Sequence, residues 1–319
     1  MKSPLRVALG PDGLLFVSDY AWQRVLTVRQ DNLGILDSFS VRGRPTAVGF
    51  HDGRIFVGNE ATGVMEVHST DGQLLYEFET PIKRPHDIAI STEQELVFVV
   101  DASAKSVEVF TLEGDYVRSI PAPDEEPLAS PTAVALRRQS LGEDIDRNGS
   151  VSLQDLMAVL GAWRERGGPE DVNRDGIVDV QDLSRVLAKW GAKTPAEEVL
   201  VSDYGNPAPD AMIEPAVRIY DLQGVHLQTI SGSERFSRPQ GMMTNGNGQV
   251  FVADNLLCKI LVIDLETGEI VRTLGEFGDD TGQLRLPLDV VIEPGSGDVF
   301  VTNNQLGRIE VFREEGQQP

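Results

Sequence analysis

Cysteine is almost missing: Cys258 is the only one in 319 residues. That excludes an intrachain disulfide and any CxxC-type metal or haem site. Basic side chains are in deficit, 28 Lys and Arg against 50 Asp and Glu, for a net charge of −22. So acidic a surface repels phosphate backbones, and neither sequence-independent nucleic-acid binding nor docking on anionic membranes is expected. Apolar runs are short. None approaches the ~18 residues of a membrane-spanning helix, so no membrane insertion is expected. The start, Met1-Lys2-Ser3-Pro4, leads straight into strand-like sequence without an apolar stretch or small-residue cleavage site. No signal peptide is therefore expected in the sequence as written.

What is present is a repeat. A Pro followed by a short apolar strand recurs at Pro4, Pro45, Pro85, Pro131, Pro239 and Pro287. After a Gly/Asp/Asn turn, an apolar second strand follows and closes on Asp19, Asn59, Asp101, Asp203, Asp254 or Asn303. Those closing side chains are expected to accept hydrogen bonds from the backbone of the next turn. An alternating third strand (Val107-Glu108-Val109-Phe110) and a fourth (Tyr116-Val117-Arg118-Ser119-Ile120) complete the unit. Period-2 alternation between such turns is a strand and hairpin signal. Four strands in roughly 40–50 residues is the pattern of a propeller blade, and six units predict six blades. The sixth shows only three strands before the chain ends, leaving an edge that a neighbouring copy can fill to make a homo-oligomer.

The unit resembles the NHL repeat, with its Pro-x-Gly/Asp start and Val-Phe-Val-x-Asp second strand. The resemblance implies an all-β, six-bladed NHL-type propeller over 1–138 and 196–319. Blade four is interrupted between Ala133-Val134-Ala135-Leu136 and Val199. Within the interruption, residues 144–155 and 171–182 align without a gap at an offset of 27, and Trp163 and Trp190 keep that offset.

These stretches have the spacing of calcium loops. Calcium takes six to eight oxygens from loop positions 1, 3, 5, 7 and 12, with Gly at 6 for the bend. The first set is Asp144, Asp146, Asn148, the Ser150 carbonyl and Asp155; the second is Asp171, Asn173, Asp175, the Ile177 carbonyl and Asp182. Two Ca2+ ions are therefore expected. Leu156, Met157, Val159, Leu160 and Trp163, then Leu183, Val186, Leu187 and Trp190, fall at helical spacing and predict a small core.

The module over 139–195 resembles a type I dockerin, which also uses Asp at position 12. That resemblance implies a calcium-ordered helical face for a cohesin-like partner. Loop positions 10 and 11, Leu153, Gln154, Val180 and Gln181, become the partner-binding candidates. Dockerins usually sit at a chain terminus. Here both ends are tethered, so the partner can equally be another copy of the chain.

The propeller offers less chemistry. Channel-facing pairs on the inner strands are Leu5/Arg6, Thr46/Ala47, His86/Asp87, Thr132/Ala133, Gln240/Gly241 and Leu288/Asp289. With one histidine in that ring, the three-histidine zinc site of related lyases cannot be assembled. His86 and Asp87 are the catalytic candidates left to a lyase- or lactonase-type enzyme reading. Tyr20, Trp22, Tyr204 and Gln240 are candidates for a small-molecule or carbohydrate ligand at the channel mouth. The leading expectation is an extracellular or cell-surface calcium-binding interaction protein, because millimolar calcium suits such loops.

Overall fold

The computed structural model describes residues 1–78, 82–137, 141–146, 150–173, 175–193, 197–206, 208 and 212–313. The chain forms two compact units, one from Met1–Leu136 with Val199–Pro319 and the other from Arg137–Glu198.

The larger unit is built from six antiparallel sheets, each laid down in chain order. Blade one is β1 (Pro4–Leu9), β2 (Leu14–Asp19), β3 (Arg24–Arg29) and β4 (Ile35–Ser40); blade two is β5 (Pro45–His51), β6 (Arg54–Asn59), β7 (Val64–Ser69) and β8 (Leu74–Glu77). Blade three is β9 (Pro85–Ser91), β10 (Leu96–Asp101), β11 (Ser106–Thr111) and β12 (Tyr116–Ile120). Blade four is β13 (Pro131–Arg137), β14 (Glu198–Asp203), β15 (Ala216–Asp221) and β16 (His226–Ser231). Blade five is β17 (Pro239–Thr244), β18 (Gln249–Asp254), β19 (Lys259–Asp264) and β20 (Ile270–Leu274). A short parallel pair follows, β21 (Glu276–Phe277) with β22 (Gln283–Leu284), which the repeat pattern does not foretell. Blade six is β23 (Pro287–Ile292), β24 (Val299–Asn303) and β25 (Arg308–Phe312).

Second strands are covered on both faces by neighbouring blades, which is why they read as unbroken apolar runs such as Val97-Phe98-Val99-Val100. Six apolar cores lie between successive blades. The last joins Val291, Phe300 and Ile309 of blade six to Val7, Leu15 and Val17 of blade one. The six sheets therefore close into a six-bladed propeller.

Among the described residues, closure uses no shared strand. Thr302 Oγ1 donates to the Leu5 carbonyl (2.9 Å), and Asn304 Nδ2 donates to the Pro4 carbonyl (3.1 Å). Among the described residues blade six has three strands, and β25 is its outer edge.

The closing Asp does more than hold the turn after it. Asp254 accepts from Leu256 and Leu257 N in that turn and from Ser237 and Arg238 N just before β17. Asp101 does the same with Ser103, Ala104, Lys83 and Arg84. One buried carboxylate thus ties the two connections on the same face of blades one, three, four and five, satisfying amides that would otherwise be orphaned. In blade two the Asn59 side-chain oxygen accepts from Arg44 N and Ala61 N in its place.

The smaller unit holds both helices, α1 (Leu153–Gly161) and α2 (Val180–Ala188), each opened by a capping box. The pairing between its halves keeps the 27-residue offset. Val151 N donates to the Ala192 carbonyl (2.8 Å) and the Val151 carbonyl accepts from Gly191 N, while Val178 N donates to the Glu165 carbonyl and the Val178 carbonyl accepts from Arg164 N. Each loop leans on the end of the other copy's helix, as in a pseudo-two-fold.

Candidate functional site

The propeller channel is plugged by a charged cluster. Arg6 is 4% exposed and reaches across the ring, donating from Nε to the His86 carbonyl (2.9 Å), from Nη1 to the Leu288 carbonyl (3.1 Å) and from Nη2 to the Thr132 carbonyl. The Asp87 and Asp289 carboxylates lie 3.5 Å from its guanidinium. Each also accepts a backbone amide from the next blade, Val134 N for Asp87 (3.0 Å) and Val7 N for Asp289 (2.8 Å). Gly241 makes the room: a Cβ there would meet Asp289 Oδ1 at 2.0 Å and Arg6 Nη1 at 2.7 Å.

Two buried carboxylates share one guanidinium, so they do not both ionise freely. Burial pushes Asp289 up to about 7, with Arg6 pulling it down and the Asp87 charge raising it further. Burial likewise raises Asp87. A carboxyl whose folded pKa exceeds its unfolded one favours the fold at low pH, and that contribution is lost as pH rises through the folded value. Between pH 6 and 8 the wild type should therefore lose about 1 kcal/mol through this group. Thermal melts of Asp289→Asn across that window should lack this component of the slope; an identical slope contradicts the assignment.

The plug separates two cavities. One, of about 290 Å³, is lined by apolar ends of the inner strands together with Asp87 and Asp289. The other, of about 370 Å³, opens at the starts of those strands and is walled by Arg6, Tyr20, Glu60, Arg84, His86 and Gln240. His86 and Asp87 are thus not a working pair. Neighbours on a strand project to opposite sides, and the Asp87 carboxylate is engaged by Arg6 and Val134 N. Of the mouth candidates, Tyr20 and Gln240 line the cavity. Tyr204 lies beneath the Arg238 guanidinium (5.1 Å), and Trp22 is on the surface, 45% exposed.

In the smaller unit, Asp144, Asp146 and Asp155 bring one oxygen each to within 4.8 Å of one another. Oxygens bound to one calcium at 2.3–2.6 Å lie at most about 5 Å apart, so this donor set fits a single cation. Asn148 lies outside the described residues. Position 12 is buried in both loops and ties loop to helix: Asp155 accepts from Asp146 N (3.1 Å) and Ser152 N (2.8 Å), Asp182 from Asn173 N (2.9 Å) and Asp179 N (2.8 Å). Burial raises both carboxyls, but these amide donors outweigh it and hold them below the usual range. In the second loop Asp171 accepts from Asp175 N and Gly176 N, and Asn173 Nδ2 donates to Asp175. Gly176 takes φ +96°, the conformation that position 6 requires. Ser150 and Ile177 occupy position 7 of their loops, with Ile177 exposed.

The core of this unit is smaller than the helical spacing predicts. Val151, Val159, Ala162, Val178 and Val186 are buried, with Leu156 and Leu183 packed against them. Met157, Leu160, Trp163, Leu187 and Trp190 are exposed instead. Trp163 and Trp190 lie just beyond the helix ends, while Met157, Leu160 and Leu187 lie on the helices, where Leu153 and Val180 also stand exposed. Gln154 and Gln181 sit beside them in the first turns.

No family model matches the chain. In fold it is similar to a chain of hydrazine synthase from Kuenenia stuttgartiensis, with a TM-score of 0.60 over 99% of this chain and 97% of that one, at 13% sequence identity. The likeness is one of fold.

Proposed function

We propose that this is a secreted or surface calcium-binding interaction protein, an NHL-type propeller carrying a dockerin-like module. The module binds two calcium ions and offers its helices to a protein partner, either a cohesin-like domain or a second copy of the chain. The observation that carries this reading is the duplicated acidic loop, repeated at one offset in sequence, capping and pairing, whose first copy gathers three carboxylates around one point. Calcium supplies the positive charge that lets such a cluster pack.

The exposed apolar side chains support the second half. Leu153, Met157 and Leu160 form a stripe along α1 outside the core, flanked by Trp163, with Val180, Leu187 and Trp190 as the second copy's counterparts. A helix that is apolar on two sides is suited to packing on both. The sixth blade, three-stranded among the described residues, supports a further edge for contact between copies.

Sedimentation velocity of the chain, alone and with a cohesin domain, in millimolar calcium and in chelator, tests the reading. A larger species is expected in calcium, lost in chelator and in Leu160→Asp. A monomer under every condition overturns the interaction role.

A further inference from the structure

The charged plug shows a different face to each of its two cavities. Arg6 lines the 370 Å³ mouth that contains His86, whereas Asp87 and Asp289 line the 290 Å³ cavity at the far ends of the inner strands and Arg6 does not. The room in that second cavity comes from the sequence. Four of the six inner strands carry a small residue at one place, the fourth after the opening Pro: Ala8, Gly49, Ala89 and Ala135. The residues that follow them, Leu9 and Phe50 among them, are apolar and only half-buried, so they leave the cavity an apolar wall.

The floor of this cavity has more acceptors than donors. Arg6 gives its shorter hydrogen bonds to the His86, Leu288 and Thr132 carbonyls and stands 3.5 Å from either carboxylate. A charge-assisted N–H to carboxylate contact is ordinarily ~2.7–2.9 Å. Asp87 and Asp289 take an amide of the next blade, Val134 N at 3.0 Å and Val7 N at 2.8 Å, whereas an ionised carboxyl has about four acceptor sites. With both acids ionised, the single guanidinium leaves the plug one positive charge short.

We propose that this cavity is a binding site for a small apolar primary ammonium ion, its alkyl chain between the strand ends and its head on Asp87 and Asp289. An ammonium is a compact charge with three donors and no acceptor, which is what two undersupplied carboxylates lack. Its alkyl chain covers apolar wall that water would otherwise wet. The site is independent of the calcium module. Burial pushes Asp289 up to about 7, with Arg6 and Asp87 the charges that face it, so the ammonium meets more negative charge at pH 8 than at pH 6.

Calorimetric titration of the full chain at pH 8 with n-hexylamine, 1-hexanol and hexanoate tests this. Hexylamine, an ammonium ion at that pH, should saturate. Hexanol should bind about tenfold more weakly or worse, and hexanoate should not bind. Asp289→Asn keeps an acceptor for Val7 N and removes the charge, and it should weaken hexylamine about tenfold. For the wild type, lowering the pH to 6 should weaken hexylamine by about the same factor. No saturation by hexylamine, hexanol or hexanoate binding as tightly as the amine, or an affinity that neither the substitution nor the pH changes overturns the site.

Discussion

Arg6→Met should destabilise the propeller by about 3–5 kcal/mol, the cost of stranding buried charge when one partner of an ion pair is removed. Asp87 and Asp289 would face each other without a counter-charge, and the carbonyls of His86, Leu288 and Thr132 would lose their donor. Because the stranded carboxyls can neutralise by taking up protons, the loss should be smaller at pH 5 than at pH 8. Adding Asp87→Asn and Asp289→Asn should recover part of it, since the neutral amides no longer need a cation. Chemical denaturation monitored by circular dichroism checks this. A loss below 1 kcal/mol, equal at both pH values, would show that the cluster does not hold the ring.

Asp155→Ala and Asp182→Ala should each unfold the smaller unit while sparing the propeller. Each removes a capping box, worth about 0.5–2 kcal/mol, together with a tie between loop and helix. Each also deletes a proposed calcium ligand. Among the described residues five apolar side chains are buried in that unit's core, so the proposed ion binding should carry a large share of its stability. At a free calcium of about 100 times Kd, one site adds about 2.7 kcal/mol. Limited proteolysis in calcium should leave residues 137–198 intact in the wild type and cut them in either variant or in chelator. Resistance in chelator equal to that in calcium would refute it.

The blades were legible in the sequence because each second strand, buried on both faces, is apolar without interruption and ends on one fixed polar type. The three-stranded sixth blade could be read for the same reason. The second duty of the closing Asp could not, since Lys83 and Arg84 are distant from Asp101 until the sheet pairs. The plug was hidden differently. Arg6, Asp87 and Asp289 hold the same place in three repeats, but their attraction exists only once the ring brings those places together across Gly241. Aligning the repeats by charge, with small residues at Ala47, Ala133 and Gly241, is the signal that could have found it. In the helices, spacing marked Leu160, Trp163, Leu187 and Trp190 as apolar, yet could not say which of two apolar sides turns inward. The valines, shorter and closer to the loops, took the core.

The most direct test of the account is a calcium titration of the intact chain, read as ions bound per chain. It predicts two ions, with one lost in Asp155→Ala and the other in Asp182→Ala. No binding at millimolar calcium, or two ions still bound in both variants, would contradict it.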